Sequence, residues 1–160
     1  MTKKDSPKTN AIRCLLEHGI PYEVFTYSYE DKGGTRVSAR ELGVDEHAVT
    51  KTLVMETDAK DPLIVLMHGD REVSTKQLAR ALKVKSVSPC EPKVADRHSG
   101  YQVGGTSPFG TQRVMPVYAE QSLFDLDAIY INGGRRGLLV RIRPSDLHKA
   151  LKITCVQVAI

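Results

Sequence analysis

Residues 51–67 read KTLVMETDAKDPLIVLM, and this stretch decides the architecture. Lys51 to Glu56 is a strand candidate, Asp58 to Pro62 an acidic turn, and Leu63 to Met67 an apolar strand. Together they make a hairpin. On its upstream side Ser38 and Glu41 have capping-box spacing, with Val37 and Leu42 at staple positions, which predicts a short helix ending at Gly43. The same grammar returns downstream at Ser74, Gln77, Val73 and Leu78, predicting a helix over 75–83 with Leu78, Ala79 and Leu82 on its buried side. The centre of the chain is therefore a hairpin under helices.

Further out, Ser6 and Pro7 have the cap and first-turn chemistry of a helix over about 7–18, with Ile12, Leu15 and Leu16 on one face. Tyr22 to Tyr27 is β-rich, and a polar loop follows to Arg36. Asp45 to Thr50 reads as a polar helix end. Pro92 opens another helix, and Gly100 to Gly110 carries too many breakers for a regular element. Val114–Ala119, Ala128–Asn132 and Leu138–Arg143 are β-rich, Ser145–Leu151 helical, and Ile153–Val158 a last strand. No repeat or long linker divides the 160 residues, so residues 1–160 are expected to form one α+β domain on a mixed, strongly curved sheet.

Composition narrows the function. With 41% apolar and 26% charged residues the chain is neither disordered nor collagenous, and no apolar run is long enough for a membrane span. A net charge of +4 permits a nucleic-acid partner without requiring one. Cys14, Cys90 and Cys155 are odd in number and lack CxxC spacing, and the basic first residues precede no apolar signal segment, so a cytoplasmic protein with reduced thiols is expected.

Gly100-Tyr101-Gln102-Val103-Gly104-Gly105-Thr106-Ser107-Pro108-Phe109-Gly110 is the most unusual segment. Glycines let successive N–H groups converge on a carbonyl oxygen or phosphate, although two linked turns without a ligand account for the same residues. Lys51, between Thr50 and Thr52, either faces a pocket or is solvated. His18, His47, His68, His98 and His148 lack metal-ligand spacing, so no metal is assigned. Ser107 lacks a nucleophile elbow and Cys90 lacks an identifiable base. Lys76, Arg80, Lys83, Lys85, Lys93 and Arg97 form a basic stretch that suits either a phosphate backbone or a solvated helix face.

Taken with Thr50-Lys51-Thr52-Leu53-Val54 and Ile131-Asn132-Gly133-Gly134-Arg135-Arg136-Gly137-Leu138, the glycine segment resembles the YbaK/EbsC family of aminoacyl-tRNA deacylases. The resemblance implies a compact α+β fold with a barrel-like sheet, related to the editing domain of bacterial prolyl-tRNA synthetases. It implies hydrolysis of mischarged aminoacyl-tRNA, Cys-tRNA(Pro) above all, with no cofactor or metal. The implied catalytic residues are Lys51 and Gly104. Tyr27 and Thr52 are the implied pocket residues, and Gly105, Thr106, Ser107 and Asn132, in the glycine loop and the 131–138 turn, are expected as further substrate contacts. Aminoacyl-tRNA and prolyl-tRNA synthetase are the implied partners, with no membrane or DNA role. Three positions depart from the pattern: Gly34 replaces a pocket aromatic, Asn132 a serine and Leu139 an aspartate. They leave open a deacylase for another small amino acid, or a non-catalytic tRNA- or synthetase-binding module.

Overall fold

A computed structural model describes residues 7–160. The elements are α1 (Asn10–Glu17), β1 (Glu23–Thr26), α2 (Gly34–Leu42), β2 (Val49–Thr57), β3 (Pro62–His68), α3 (Thr75–Leu82), β4 (Val87–Pro89), α4 (Pro92–Ser99), β5 (Val117–Glu120), β6 (Ile129–Asn132), β7 (Leu138–Ile142), α5 (Leu147–Ala150) and β8 (Ile153–Val156). The strands form one mixed sheet in the order β1-β7-β6-β2-β3-β5-β8, with β4 on the edge of β2. This is the expected α+β class, and the strand path is open, with β1 and β8 at its ends.

The hairpin is the middle of the sheet. β2 and β3 pair antiparallel with Lys51 opposite Met67, Thr52 opposite Leu66 and Met55 opposite Leu63. Every residue of β3 is buried, because β5 runs parallel on its other side and both faces are covered. Alternation along the strands divides the core. Val54, Ile64 and Leu66 join Ile131, Val140 and the buried side of α1 on one face. Met55, Leu63, Val65 and Met67 pack on the other face with Leu78 and Ala79 of α3. Ala39 of α2 covers a smaller cluster with Val49 and Leu139.

Several boundaries differ from the sequence reading; β5 begins at Val117, not Val114, and β8 ends at Val156, not Val158. Ser6 lies outside the described residues, and the cap of α1 is Thr9, whose Oγ1 accepts from Ile12 N at 3.1 Å and donates to the carbonyl of Gly133. α2 begins at Gly34, so Ser38 is inside the helix instead of capping it. Its buried hydroxyl donates back to the Thr35 carbonyl at 3.1 Å, and Thr35 in turn reaches Glu46 and Gly69, contacts that favour the earlier start. The expected helix end at 45–50 is a 3-10 turn at Glu46–Ala48, while Val49 and Thr50 join β2. Ser74 does cap α3, accepting from Gln77 N at 3.2 Å.

Because Thr9 both caps α1 and reaches Gly133, Thr9→Ala is expected to lower stability by about 1–2 kcal/mol, with Thr9→Ser retaining most of it. Urea midpoints of the three proteins check this; equal midpoints would show that the cap contributes nothing.

Candidate active site

The site grows from the junction of β2 and β6. These strands run parallel with Val49 beside Tyr130 and Thr50 beside Ile131, so continuing the register sets Lys51 beside Asn132. Asn132 is paired with Leu139 on β7, and Leu139 with Phe25 on β1. Lys51 and Asn132 thus share the face that α2 and α3 cover, and Lys51 falls between the two helical clusters. Its side chain is only 17% exposed. The ammonium donates to the Arg71 carbonyl at 2.6 Å and to Glu72 Oε1 at 3.3 Å. The Arg71–Glu72 segment is itself fixed, since Glu72 and Ile160 exchange both backbone hydrogen bonds.

Asn132 ties this face to the glycine loop. Its Nδ2 donates to the Gly104 carbonyl at 3.2 Å, while its Oδ1 accepts from Gly134 N at 2.6 Å and Arg135 N at 3.1 Å. One amide therefore holds the end of β6, the 133–137 turn and the loop together. Arg136 adds a bond from Nε to the Val103 carbonyl at 2.8 Å, with its guanidinium 4.8 Å above the Tyr29 ring. At the back of the loop the Tyr101 hydroxyl donates to the Phe109 carbonyl, and burial holds that phenol well above its usual range.

Gly104 has φ +90°, and a Cβ there would lie 2.6 Å from the Tyr29 hydroxyl. A Cβ on Gly105 would meet Arg136 N at 2.7 Å. Gly104 requires glycine for its conformation and Gly105 for the close approach of the 135–136 backbone. The two do not form the expected paired cradle: Gly105 N–H donates to the Gln102 carbonyl at 2.7 Å, whereas Gly104 N–H makes no hydrogen bond among the described residues. Of the two, Gly104 keeps its donor free among the described residues, as Thr106 and Ser107 beside them do.

The other expected contacts divide in the same way. Ser107 is fully buried and accepts from Phe109 N at 3.1 Å, and Thr106 donates to the Gln102 carbonyl at 3.4 Å, so both hydroxyls serve the loop itself. Tyr27 lies partly buried beside Leu139 and Ala39. Its hydroxyl is raised above the usual range by burial and by nearby Tyr29, against the opposing effect of hydrogen bonds with the Gly137 backbone and Ser38. Thr52 points to the face opposite Lys51, and its buried hydroxyl, like that of Thr50, has no partner among the described residues. Gly34 opens α2 with φ +63° and nothing near its Cα direction, whereas Tyr29 supplies an aromatic against Gly104. Leu139 is a core residue, 4% exposed, instead of a pocket wall. The sequence reading missed Tyr29, Arg136 and Glu72. Arg136 stood within the quoted glycine turn, but nothing in the sequence marked its reach to Val103.

His47, His68 and Asp70 bring potential metal ligands within 4.8 Å of one another. The two imidazoles stack with centroids 3.7 Å apart and planes 8° apart, so their in-plane lone pairs run side by side and do not converge on one ion. Three of the four ring nitrogens are also occupied. His47 Nδ1 donates to Asp70 at 2.8 Å, and His68 bridges the His47 carbonyl and the Ser122 hydroxyl. Burial raises the Asp70 carboxyl, but the His47 hydrogen bond and charge, a backbone bond and Arg71 outweigh it and hold it below its ordinary value.

The sequence profile of the aminoacyl-tRNA editing domain matches residues 31–150. The chain belongs to that family. This editing domain is 31% identical over 146 residues to EbsC of Enterococcus faecalis, provisionally named a Cys-tRNA(Pro)/Cys-tRNA(Cys) deacylase, with 91% of this chain and 89% of that one covered. Against a proline–tRNA ligase of Nitratidesulfovibrio vulgaris it is 32% identical over 95 residues, which make up 59% of this chain and 16% of the ligase. It shares its fold with a solved structure provisionally described as a trans-editing enzyme for prolyl tRNA synthetase, at TM-score 0.84 and 18% identity, covering 97% of this chain and 99% of that one. Among the described residues of the editing domain no helix is long and apolar enough to cross a membrane.

Gly104→Ala and Gly105→Ala are each expected to destabilise the protein by at least about 1 kcal/mol. Tyr29→Ala should restore part of the loss for Gly104→Ala, because the obstacle is a side chain. It should restore none for Gly105→Ala, where the obstacle is backbone. A double-mutant cycle in urea tests the distinction, and equal rescue of both would contradict the packing described.

Proposed function

We propose that this protein hydrolyses the ester joining a wrongly attached amino acid to tRNA, with Cys-tRNA(Pro) as its foremost substrate, acting in the cytosol and in trans to prolyl-tRNA synthetase. The observation that carries this reading is the convergence, in a chain of the editing family, of a positioned lysine and an unengaged glycine N–H on the two sides of Asn132. The likeness to EbsC across nearly the whole chain supports the choice of cysteine.

Gly104 N–H donates to the ester carbonyl as negative charge develops on its oxygen. Lys51, its stem fixed between α2 and α3 and its ammonium steadied by Arg71 and Glu72, orients the terminal nucleotide or the carbonyl. For a cysteinyl ester the nucleophile belongs to the substrate. Its thiol loses a proton, the sulfur bonds to the carbonyl carbon, and the bond to the ribose oxygen breaks. That oxygen takes up a proton, and water then opens the thioester to give free cysteine. Holding thiol and ester together in this way supplies rate through proximity.

A protein thiol is poorly suited to the same task. Burial raises the Cys90 thiol above its usual range, with Glu56 adding to the effect and Lys60 opposing it, so little thiolate exists at neutral pH. Steric exclusion alone cannot keep cysteine, which is no larger than proline, out of an activation site, and that is the physical need for a second, hydrolytic site.

Turnover of a panel of aminoacyl-tRNAs is the deciding experiment. Cysteinyl-tRNA(Pro) should be hydrolysed fastest, and Lys51→Ala should lower kcat/KM by on the order of 10²-fold while the protein stays folded. Lys51→Arg should restore little, since a planar guanidinium does not replace a compact ammonium. Cys90→Ala and treatment with chelator should leave turnover near wild type. No hydrolysis of any aminoacyl-tRNA by the wild type would end the proposal, and full activity in folded Lys51→Ala would remove Lys51 from it.

A further inference from the structure

α3 and β4 enclose a shallow groove of about 410 Å³ lined by Lys76, Arg80 and Lys85 with Thr75, Ser86 and Val87. All three cations are exposed, and among the described residues none of them makes an ion pair or hydrogen bond. Lys83, in the left-handed conformation that ends α3, adds a fourth exposed cation between Arg80 and Lys85. Asp58 is tied to the groove wall, accepting from Ser86 N at 3.4 Å. Protein surfaces ordinarily intersperse the two signs, so a groove carrying several cations without paired acids is suited to a polyanion.

The groove lies toward the far end of β2 from Lys51, beside the helix that covers the site's face of the sheet. α3 packs on the face that carries Lys51, covering Met67, the cross-strand partner of Lys51. The Arg71 carbonyl that holds the Lys51 ammonium lies four residues before Thr75, so chain reach and helix rise place Arg80 within ~20 Å of that carbonyl. The other cations of the basic stretch, Lys93 and Arg97, sit on α4, whose Ala95 packs against the core of the opposite face. The fold thus splits a run that is continuous in sequence.

We infer that the α3–β4 groove binds the phosphate backbone of the tRNA acceptor arm, just beyond the 3′-terminal ester held at Lys51 and Gly104. This rests on the deacylase reading for the position of the ester and on the groove's own charge for the polyanion. Lys76, Arg80 and Lys85 raise affinity for the whole tRNA and take no part in breaking the ester.

The test compares three full-length proteins: wild type, the groove variant Lys76→Gln/Arg80→Gln/Lys85→Gln, and a charge-matched control, Lys93→Gln/Arg97→Gln/Arg113→Gln. All six positions are exposed. Uncharged tRNA is titrated across a salt series, and hydrolysis is followed on aminoacyl-tRNA and on the small ester aminoacyl-adenosine. The groove variant should bind tRNA at least about tenfold more weakly at low salt and flatten the log–log salt slope by about 2–3, with a clearly smaller change in the control. Its KM for aminoacyl-tRNA should rise while its hydrolysis of aminoacyl-adenosine stays at the wild-type rate. Equal weakening in both variants would replace the groove by net charge. Unchanged tRNA binding with loss only of stimulation by added synthetase would assign the groove to an acidic protein surface. Loss of aminoacyl-adenosine hydrolysis would place these residues in the chemistry and overturn the division of roles. If the wild type hydrolyses neither ester, the deacylase reading fails, and the salt series still decides whether the groove holds RNA.

Discussion

The register of β2 against its neighbours is the constraint on which the molecule depends. β2 pairs with β3 along most of its length, with β6 at its start and with β4 at its end. A shift of one residue would exchange the two faces. Lys51 would then enter the core built around Ile64 and Leu66, and Val54 would be turned toward α3. The same register that keeps apolar side chains out of water delivers an ammonium to the gap between α2 and α3. Stability and chemistry are therefore specified by one set of backbone hydrogen bonds.

The glycine loop shows the complementary arrangement, in which many of its polar groups are spent on its own shape while the Gly104 N–H is not. Gly105 N–H, the Ser107 and Thr106 hydroxyls and the Tyr101 phenol are all spent within the loop. Asn132 then fixes the Gly104 carbonyl, and Arg136 fixes the Val103 carbonyl, whose peptide plane carries the Gly104 N–H. A donor held this way needs little reorganisation when charge develops in front of it. Asn132 also makes sense of its own departure from serine, since a hydroxyl offers one donor on a shorter stem and could not serve Gly104, Gly134 and Arg135 together.

Local rules carried the sequence reading wherever a local cause governs the outcome. The Ser74 cap, the acidic turn between β2 and β3, the left-handed glycine ending α2 and the irregular glycine segment each follow from a few adjacent residues. Tertiary contacts decided the rest. β4 exists because the edge of β2 offers it pairing, not because Val87–Pro89 is a good strand sequence. α2 starts early because Thr35 finds Glu46 and Gly69 across the fold. The specific motifs brought Lys51, Gly104 and Asn132 into view, but the direction of Thr52, the burial of Leu139 and the internal use of Ser107 depend on neighbours remote in sequence.

The bond from Thr9 to Gly133 joins residues 124 positions apart, and β1 meets β7 across a similar separation. The β2–β3 hairpin closes over only a few residues. Loop-closure entropy makes such distant contacts slow to form. During synthesis the hairpin can therefore form early, while the glycine half of the site waits for β6, β7 and the 133–137 turn, and the lysine half for Ile160 to pin the segment that holds Lys51. The candidate site is thus completed late in the life of the nascent chain, when its first helix is finally capped onto the turn that supports the loop.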